Sequence, residues 1–367
     1  MQRFLVKHLL LFVLLALGAF AQPKPVDPRF SEVERLVKAA RATALIPGIS
    51  VAIVERDRIV FVTSDGFSDL ENMVPASART LWRIASVSKP VAATAAMQLA
   101  ELGKLKLDEP IWTYVPWYPR KGDHVITVRH VLTHTSGIRH YDYEAGEKES
   151  AEYFPSVEAG SHVNGVDREP LKFSPGTRYL YSSYGFLLVA GFVEAAGGLS
   201  FEGYLKEKVF TPAGMTTACL DKNRELIPNR ARFYRKTDSG TAVVNAPFVD
   251  VSYKWAAGGI LASVEDLAHY AIALDKGKLL SAESLQQVYA DHKLADGKPT
   301  GYGLGWHVET DKDGRVWVDH SGGATGGAAF LRRIPAEGFA VVVLCNLERP
   351  TDFKKLVANI TSAVRKK

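Results

Sequence analysis

Ser86 and Lys89 stand three positions apart, at the start of an Ala-rich run. Residues at i and i+3 share one face of a helix, so this spacing can bring the lysine amine to the serine hydroxyl. A serine becomes a strong nucleophile only when a neighbouring base takes its proton. A lysine can be that base if burial lowers its pKa, because burial disfavours the charged form. The segment predicts nucleophilic catalysis by Ser86, with a capping serine and a surface lysine as the alternative.

A tyrosine-rich segment could supply a second proton-transfer group. Tyr179, Tyr181 and Tyr184 precede or begin an apolar run that is typical of a helix. A phenol close to a buried lysine can shuttle protons, because a nearby cation favours the phenolate. We expect Tyr181 to take this part, with a core tyrosine as the alternative.

A glycine-rich segment, His320-Ser-Gly-Gly323, is predicted to end a strand and to open a turn that runs through Gly327. Glycines let a substrate approach the backbone closely. The backbone N–H of Gly323 could complete an oxyanion hole with that of Ser86. An edge strand here could also pair with an extended peptide substrate. The alternative is an ordinary β-turn, since such turns are often rich in glycine.

These three segments, in this order, resemble the motifs of the penicillin-recognising serine hydrolases: class C β-lactamases, D-Ala-D-Ala carboxypeptidases of that type and related esterases. The resemblance covers about residues 33–363. Two further stretches, 132–138 and 302–306, are similar to other signatures of that family. Longer strings resemble the serine β-lactamase-like proteins of mitochondria and their bacterial relatives, and they lie at 137–141, 229–234, 249–256 and 322–326.

The resemblance implies a serine hydrolase that forms an acyl-enzyme on Ser86. It implies that Lys89 and Tyr181 act together as the proton-transfer pair. The backbone N–H groups of Ser86 and Gly323 would hold the oxyanion. The substrate-binding positions that it implies are Ser183, His320, Ser321 and Gly322.

Two positions depart from the family pattern. Family members usually carry Asn where Ser183 stands, and many true β-lactamases carry Lys where His320 stands. A permanent lysine charge helps to bind a substrate carboxylate, whereas a neutral histidine does so only weakly. The departures argue against efficient β-lactam hydrolysis and favour a peptidase-like or esterase-like role. A binding or self-assembling protein that keeps the fold without efficient catalysis is the alternative function.

Strand patterns occur near both ends of the chain. β-Branched runs at 49–55 and 59–63 predict a hairpin, and Asp27-Pro28 predicts the start of a helix that continues to about Leu45. A last helix is predicted at 352–365. The C-terminal strands are predicted at 302–309, 315–320, 328–334 and 339–345.

Helical patterns fill the middle of the chain, at 87–102, 127–134, 183–196 and 263–275, with a polar insertion loop at 140–170. We therefore expect an α+β fold, in which one antiparallel sheet built from both chain ends is flanked by the terminal helices and carries an inserted, mostly helical lobe. The sheet lobe would comprise about 27–85 and 266–367, and the helical lobe about 86–265. The cleft between the lobes is the expected site.

The N-terminus has the pattern of a secretory signal peptide. Arg3 and Lys7 precede an apolar run at 9–20, and Ala19-Phe-Ala21 matches a cleavage site. We expect residues 1–21 to be removed and the serine hydrolase domain, 22–367, to be exported to the periplasm or secreted. An uncleaved anchor is the alternative, although the run is short for a bilayer span.

The composition is that of a globular protein. The 367 residues are 47% hydrophobic and 23% charged, which excludes disordered, collagenous and coiled-coil classes. The net charge is +5, and the positive and negative residues are interspersed along the chain without a basic block. We therefore expect a small-molecule or peptide substrate and no nucleic-acid or stable membrane partner. A homo-oligomer is compatible with the sequence.

Neither a metal nor a cofactor is expected. His130 and His134 have zinc-like spacing, but Val131 stands where the zinc-protease pattern needs glutamate. Cys219 and Cys345, the two cysteines, could form a disulfide after export, but we favour a buried, unbonded Cys345.

Overall fold

The computed structural model describes residues 27–142 and 147–365. In chain order, the helices are α1 (Pro28–Ala44), α2 (Ser88–Glu101), α3 (Val128–Leu132), α4 (Val157–Ser161), α5 (Ser183–Gly197), α6 (Phe201–Tyr204), α7 (Thr211–Ala213), α8 (Trp255–Gly258), α9 (Val264–Asp275), α10 (Ala282–Val288) and α11 (Phe353–Arg365). The strands are β1 (Gly48–Glu55), β2 (Arg58–Asp69), β3 (Val74–Pro75), β4 (Trp82–Arg83), β5 (Cys219–Leu220), β6 (Tyr234–Lys236), β7 (Val243–Asn245), β8 (Ile260–Ala262), β9 (His307–Thr310), β10 (Val316–Ala324), β11 (Gly327–Ile334) and β12 (Phe339–Cys345).

The main sheet joins the two ends of the described chain. Its seven strands lie in the order β3-β2-β1-β12-β11-β10-β9. β1 and β12 pair antiparallel at its centre, with Ile49 opposite Cys345 and Val54 opposite Ala340. The other neighbours in this sheet are antiparallel as well. The predicted α+β architecture is therefore confirmed.

Both faces of the sheet are covered. Alternate side chains of β1 point to opposite faces, so Ile49, Val51 and Ile53 join the core beneath the terminal helices. Ala52 and Val54 join the larger core between the sheet and the inserted helices. This second core places the helical residues directly over the sheet, and the 3-10 turn Ala85–Val87, just before α2, packs against β10.

Local capping explains where two helices begin. The Asp27 side chain accepts a hydrogen bond from the N–H of Arg29, and Pro28 occupies the first turn of α1. Ser263 and Asp266 cap each other's backbone groups at the start of α9, as their spacing predicts. α9 packs against β1 and β12, so this helix lies on the main sheet.

Three predicted segments differ from the structure. β9 begins at His307 rather than at Tyr302, because Gly301 and Gly305 turn the backbone with positive φ. β10 continues to Ala324, through the glycines that were expected to open a turn. The stretch 140–170 is not all loop, since α4 lies within its described part.

The predicted signal peptide, residues 1–21, lies outside the described residues. In the part of the chain that is described, no single helix has the length and apolar composition to cross a bilayer. One pair of helical segments, α5 and Phe201–Ala213, meets these two criteria when taken together, but the pair is bent by 75° at the break between them. Cys219 and Cys345 are not bonded to each other, and Cys345 is buried in β12.

Candidate active site

Ser86 lies in a tight connection between a strand and a helix. β4 leads into the 3-10 turn Ala85–Val87, and α2 begins at the next residue. Ala85 has a φ of 47°, in the left-handed region that residues with a Cβ seldom adopt, at a cost of about 1–3 kcal/mol. Ala85 and Val87 are buried while Ser86 is partly exposed. The turn therefore presents the serine side chain to a cavity, and nothing in the sequence indicated the unusual backbone.

Lys89 is fully buried in the first turn of α2. Its Nζ lies 3.0 Å from Oγ of Ser86, 3.0 Å from Oγ of Ser183 and 2.8 Å from the carbonyl oxygen of Ala257. Burial lowers the pKa of Lys89 well below its usual value, and the positive charge of Lys254 lowers it further.

The partners of Lys89 fit a neutral amine. A neutral amine has two N–H groups and one lone pair. The carbonyl of Ala257 can only accept a hydrogen bond, and Ser183 can accept the second one. The lone pair then remains for the O–H of Ser86. This arrangement can remove the serine proton and so create a nucleophile.

Tyr181 covers the lysine. Its ring centroid lies 4.9 Å from Nζ of Lys89. The segment that carries it is fixed by His134, whose carbonyl oxygen accepts from the N–H of Leu180 at 2.9 Å and whose Nδ1 accepts from the N–H of Ser182 at 3.0 Å. The His134 ring also lies 4.3 Å from the Tyr181 ring. His134 therefore fixes the backbone on both sides of the tyrosine.

The sequence singles out His134 only through its zinc-like spacing from His130, in a pattern that lacks the glutamate. The stretch 132–138 was the available signal, because it stood out in the family resemblance without an assigned role. Among the described residues, no three His, Cys, Asp or Glu side chains are grouped so that they could hold a metal ion.

Ser183 lies at the floor of the site rather than in its wall. It is the first residue of α5 and is buried, and its hydroxyl oxygen accepts a hydrogen bond from Nζ of Lys89. Its backbone N–H donates to Nδ1 of His140 at 3.2 Å. The structure thus places the Ser183 side chain against the amine, where it can orient Lys89.

His320 is buried and uses both ring nitrogens within the protein. Nδ1 lies 2.8 Å from the carbonyl oxygen of Ser321, so Nδ1 must carry the proton, and Nε2 accepts from the hydroxyl of Tyr302 at 2.9 Å. Burial lowers the pKa of His320 well below its usual value, and the nearby His307 and Lys89 add to the effect. The ring is therefore neutral and cannot act as the permanent cation that the corresponding lysine provides in many β-lactamases.

The glycines of β10 bring that strand against Ser86. β9 pairs with β10 only as far as Asp319. Beyond that point Gly322 packs against the 3-10 turn Ala85–Val87, here called the serine turn. A Cβ on Gly322 would clash with the carbonyl oxygen of Ile84 and lie 3.1 Å from the backbone nitrogen of Ser86. Gly323 faces open space on its Cβ side. The close approach therefore needs Gly322, while Gly323 is accessible beside Ser86.

A cavity of about 780 Å³ joins these groups. Ser86, Tyr181, Ser321 and Gly323 line it, together with His320. The remaining lining residues are His140, Glu147, Lys148, Glu149, Tyr179, Arg235, Pro247, Phe248, Val249, His307, Ala324, Thr325, Glu348 and Arg349. Ser183 and Gly322 lie behind its surface.

Two lining histidines were not singled out from the sequence. Burial lowers the pKa of His140 and of His307 to about 4 each, so both are neutral near pH 7. The His307 ring lies parallel to the Tyr181 ring at 6.4 Å. No spacing rule relates His307 to Ser86 along the chain, so only the fold could place it here.

The sequence is similar to a known protein family and to several curated proteins. A family model described as Beta-lactamase matches residues 33–365. The chain is 29% identical to the serine beta-lactamase-like protein LACTB, mitochondrial, of Homo sapiens, over 82% of this chain and 74% of the human protein. It is 26% identical to penicillin-binding protein 4* of Bacillus subtilis, over 84% of this chain and 70% of that protein.

The fold has close parallels among solved structures. The octameric penicillin-binding protein homologue from Pyrococcus abyssi superposes with a TM-score of 0.75 and 26% identity, over 91% of this chain and 77% of that one. The family model spans nearly all of the described residues. From the ordered motifs, the shared fold and this match, we conclude that the chain belongs to the beta-lactamase family.

Proposed function

We propose that the protein is an exported serine hydrolase that opens an amide or ester bond through an acyl-enzyme on Ser86. The observation that carries the proposal is the fully buried amine of Lys89, 3.0 Å from the Ser86 hydroxyl at the edge of a cavity. Burial of an amine without a carboxylate partner is unfavourable, and it is typical of sites that need a base near neutral pH.

The reaction would proceed in two halves. Nζ of Lys89 takes the proton of Ser86 while Oγ attacks the substrate carbonyl, and the backbone N–H groups of Ser86 and Gly323 stabilise the oxyanion. The proton passes to the leaving amine or alcohol through Lys89 and Tyr181 as that bond breaks. Water then attacks the acyl group, the same pair accepts its proton, and the acid is released with Ser86 restored.

The site favours substrates that do not depend on a fixed positive charge at position 320. His320 is neutral and is already bonded to Tyr302 and Ser321. Ser183 contacts the amine and does not line the cavity. These features support a peptidase-like or esterase-like activity over efficient hydrolysis of β-lactams, whose carboxylate needs a partner.

Labelling with a fluorophosphonate probe and a fluorescent penicillin tests the nucleophile. We expect the wild-type protein to be labelled and Ser86→Ala not to be; equal labelling of the two would show that another group reacts. A panel of D-amino-acid peptides, ordinary peptides, short-chain esters and a chromogenic cephalosporin then identifies the substrate class. A folded protein that turns over none of them would favour a binding role.

A further inference from the structure

Lys254 and Glu149 form a buried ion pair beside the candidate active site. Their side chains are only 4% and 7% exposed. The cost of removing two charges from water offsets most of the attraction between them, so such a pair contributes little net stability. Stability alone is therefore a weak reason for its presence.

The pair is connected to the residues that carry the proposed chemistry. Lys254 directly precedes α8, and the carbonyl of Ala257 in α8 accepts a hydrogen bond from Nζ of Lys89. Gly258, in α8, lies between the Lys254 stem and the Ala85–Val87 turn: a Cβ on Gly258 would be in ordinary contact with both, 3.7 Å from Cδ of Lys254 and 3.5 Å from the carbonyl carbon of Ala85. The Lys254 side chain thus runs beside the backbone that precedes Ser86.

Glu149 holds Lys254 from the cavity side. One carboxylate oxygen contacts Nζ of Lys254, and the other accepts from the N–H of Thr325 at 3.4 Å. Burial by itself raises the pKa of the Glu149 carboxyl, but Lys254 and Arg83 bring that pKa below its usual value. The carboxylate is therefore ionised and ties Lys254 to the turn that joins β10 to β11.

We propose that Lys254 is a positioning residue for Lys89: it holds α8 and the Ala257 carbonyl against the amine, and Glu149 keeps Lys254 in place. The inference rests on the proposed function, in which Lys89 is the base.

Among the described residues, Lys254 is the charged group that lowers the pKa of Lys89; burial also lowers the pKa of Lys254 itself, and Glu149 opposes that effect. Burial lowers the pKa of each histidine around the amine, so these rings are neutral near pH 7. Burial has the largest effect on Lys89 itself, and the Lys254 charge adds to it. The titratable groups that face Lys89 are Lys254, His134, His140, His307, His320 and Tyr181.

The test is the rate of fluorophosphonate labelling of the full chain between pH 5 and 10. The rate rises with pH as Lys89 loses its proton. In Lys254→Met the repulsion between the two lysine charges is gone, so the pKa of Lys89 rises. The part of the pH–rate profile in which the labelling rate increases with pH, here called the rising limb, should then move to higher pH by about one unit. This shift equals a tenfold loss of rate at a fixed pH on that limb. Lys254→Arg keeps the charge and should return the limb close to its wild-type position.

Arg333→Met is the matched control, because Arg333 and Asp275 form another buried ion pair, away from the cavity. We expect it to lower stability without moving the limb. If Lys254→Met fails to fold, the double variant Lys254→Met/Glu149→Gln leaves no unpaired buried charge, and it should also move the limb upward.

A uniform loss of rate in Lys254→Met or the double variant, with the limb at its wild-type pH, would mean that the pair only supports the fold and would overturn the inference. Wild-type protein that is not labelled at any pH would instead overturn the proposed function, and the inference with it.

Discussion

Nζ of Lys89 donates a hydrogen bond to Oγ of Ser183 over 3.0 Å, and both side chains are buried. The contact fills the position at which other family members usually present an asparagine. With Ala257 it occupies two of the three hydrogen-bonding directions of the amine, which leaves the third for Ser86. The orientation of the proposed base therefore depends on a serine hydroxyl.

Ser183→Ala should slow labelling of Ser86 by between about two- and tenfold, because one ordinary hydrogen bond to the amine is lost. Labelling rates with a fluorophosphonate measure the effect. Ser50→Ala is the control, since Ser50 is also a buried serine but bonds Ser64 in the sheet. If Ser183→Ala and Ser50→Ala both label at the wild-type rate, Ser183 does not orient the amine.

Gly322→Ala should slow the labelling of Ser86 far more than Gly323→Ala does. The new Cβ at position 322 would clash with Ile84 and lie 3.0 Å from Cβ of Ala85, so β10 or the Ser86 turn must shift. A displacement of about 1 Å in a catalytic group can cost a hundredfold in rate. A Cβ at position 323 meets no atom within 4 Å, and the N–H is retained.

Labelling rates and thermal melting of the two glycine variants check this expectation. We expect Gly323→Ala to melt like the wild type and Gly322→Ala to react at least tenfold more slowly. Equal rates for the two variants would argue against close packing of β10 on the Ser86 turn.

His134→Leu should reduce the labelling rate by about tenfold or more, because the N–H of Ser182 loses its acceptor and the segment around Tyr181 is released. His134→Asn can restore an acceptor oxygen and also tolerates the φ of 58° at this position. We expect this variant to recover part of the rate. Equal loss in both variants would mean that the ring, not the hydrogen bond, supports Tyr181.

Acid should destabilise the fold between about pH 6.5 and 4. Burial lowers the pKa of His140 and of His307 to about 4, whereas both have ordinary values in the unfolded chain. Below pH 6.5 the unfolded chain therefore binds more protons than the folded one, so stability falls as the pH falls and levels off below about 4.

Thermal melting at pH 7.5 and pH 5 measures this linkage. In His307→Phe one partly buried titrating ring is removed, and we expect a smaller drop in Tm between the two pH values than in the wild type. Lys38→Met, a change in the exposed face of α1, serves as the control and should leave the drop unchanged. An equal drop in Tm in His307→Phe and in the wild type would show that His307 does not contribute to the acid destabilisation.

Much of the fold follows from local patterns. Asp27-Pro28 and the Ser263–Asp266 capping box predict helix starts that the structure contains. The three-residue spacing of Ser86 and Lys89 anticipated the contact between their side chains, because that relationship is local to one helical turn. Elements whose determinants lie within a few residues are the ones that sequence reasoning finds.

The remaining features depend on distant partners. Gly322 and Gly323 looked like a turn, but the strand continues through them because β10 must approach Ile84 without a Cβ between them. Lys254 and Glu149 are 105 positions apart, and neither lies in a spacing pattern with Lys89. Their contact exists only once α8 and the segment after residue 146 meet at the cavity.

The pH dependence of Ser86 labelling tests most directly whether Lys89 is a neutral base. Burial lowers the pKa of Lys89 well below its ordinary value of 10.5, so the rate should rise with pH and reach a plateau before the range in which exposed lysines lose their protons. Lys89→Met should remove both the rise and most of the rate. A wild-type rate that climbs only near pH 10.5, or a Lys89→Met variant that is labelled as fast as the wild type, would contradict the assignment of Lys89 as the base.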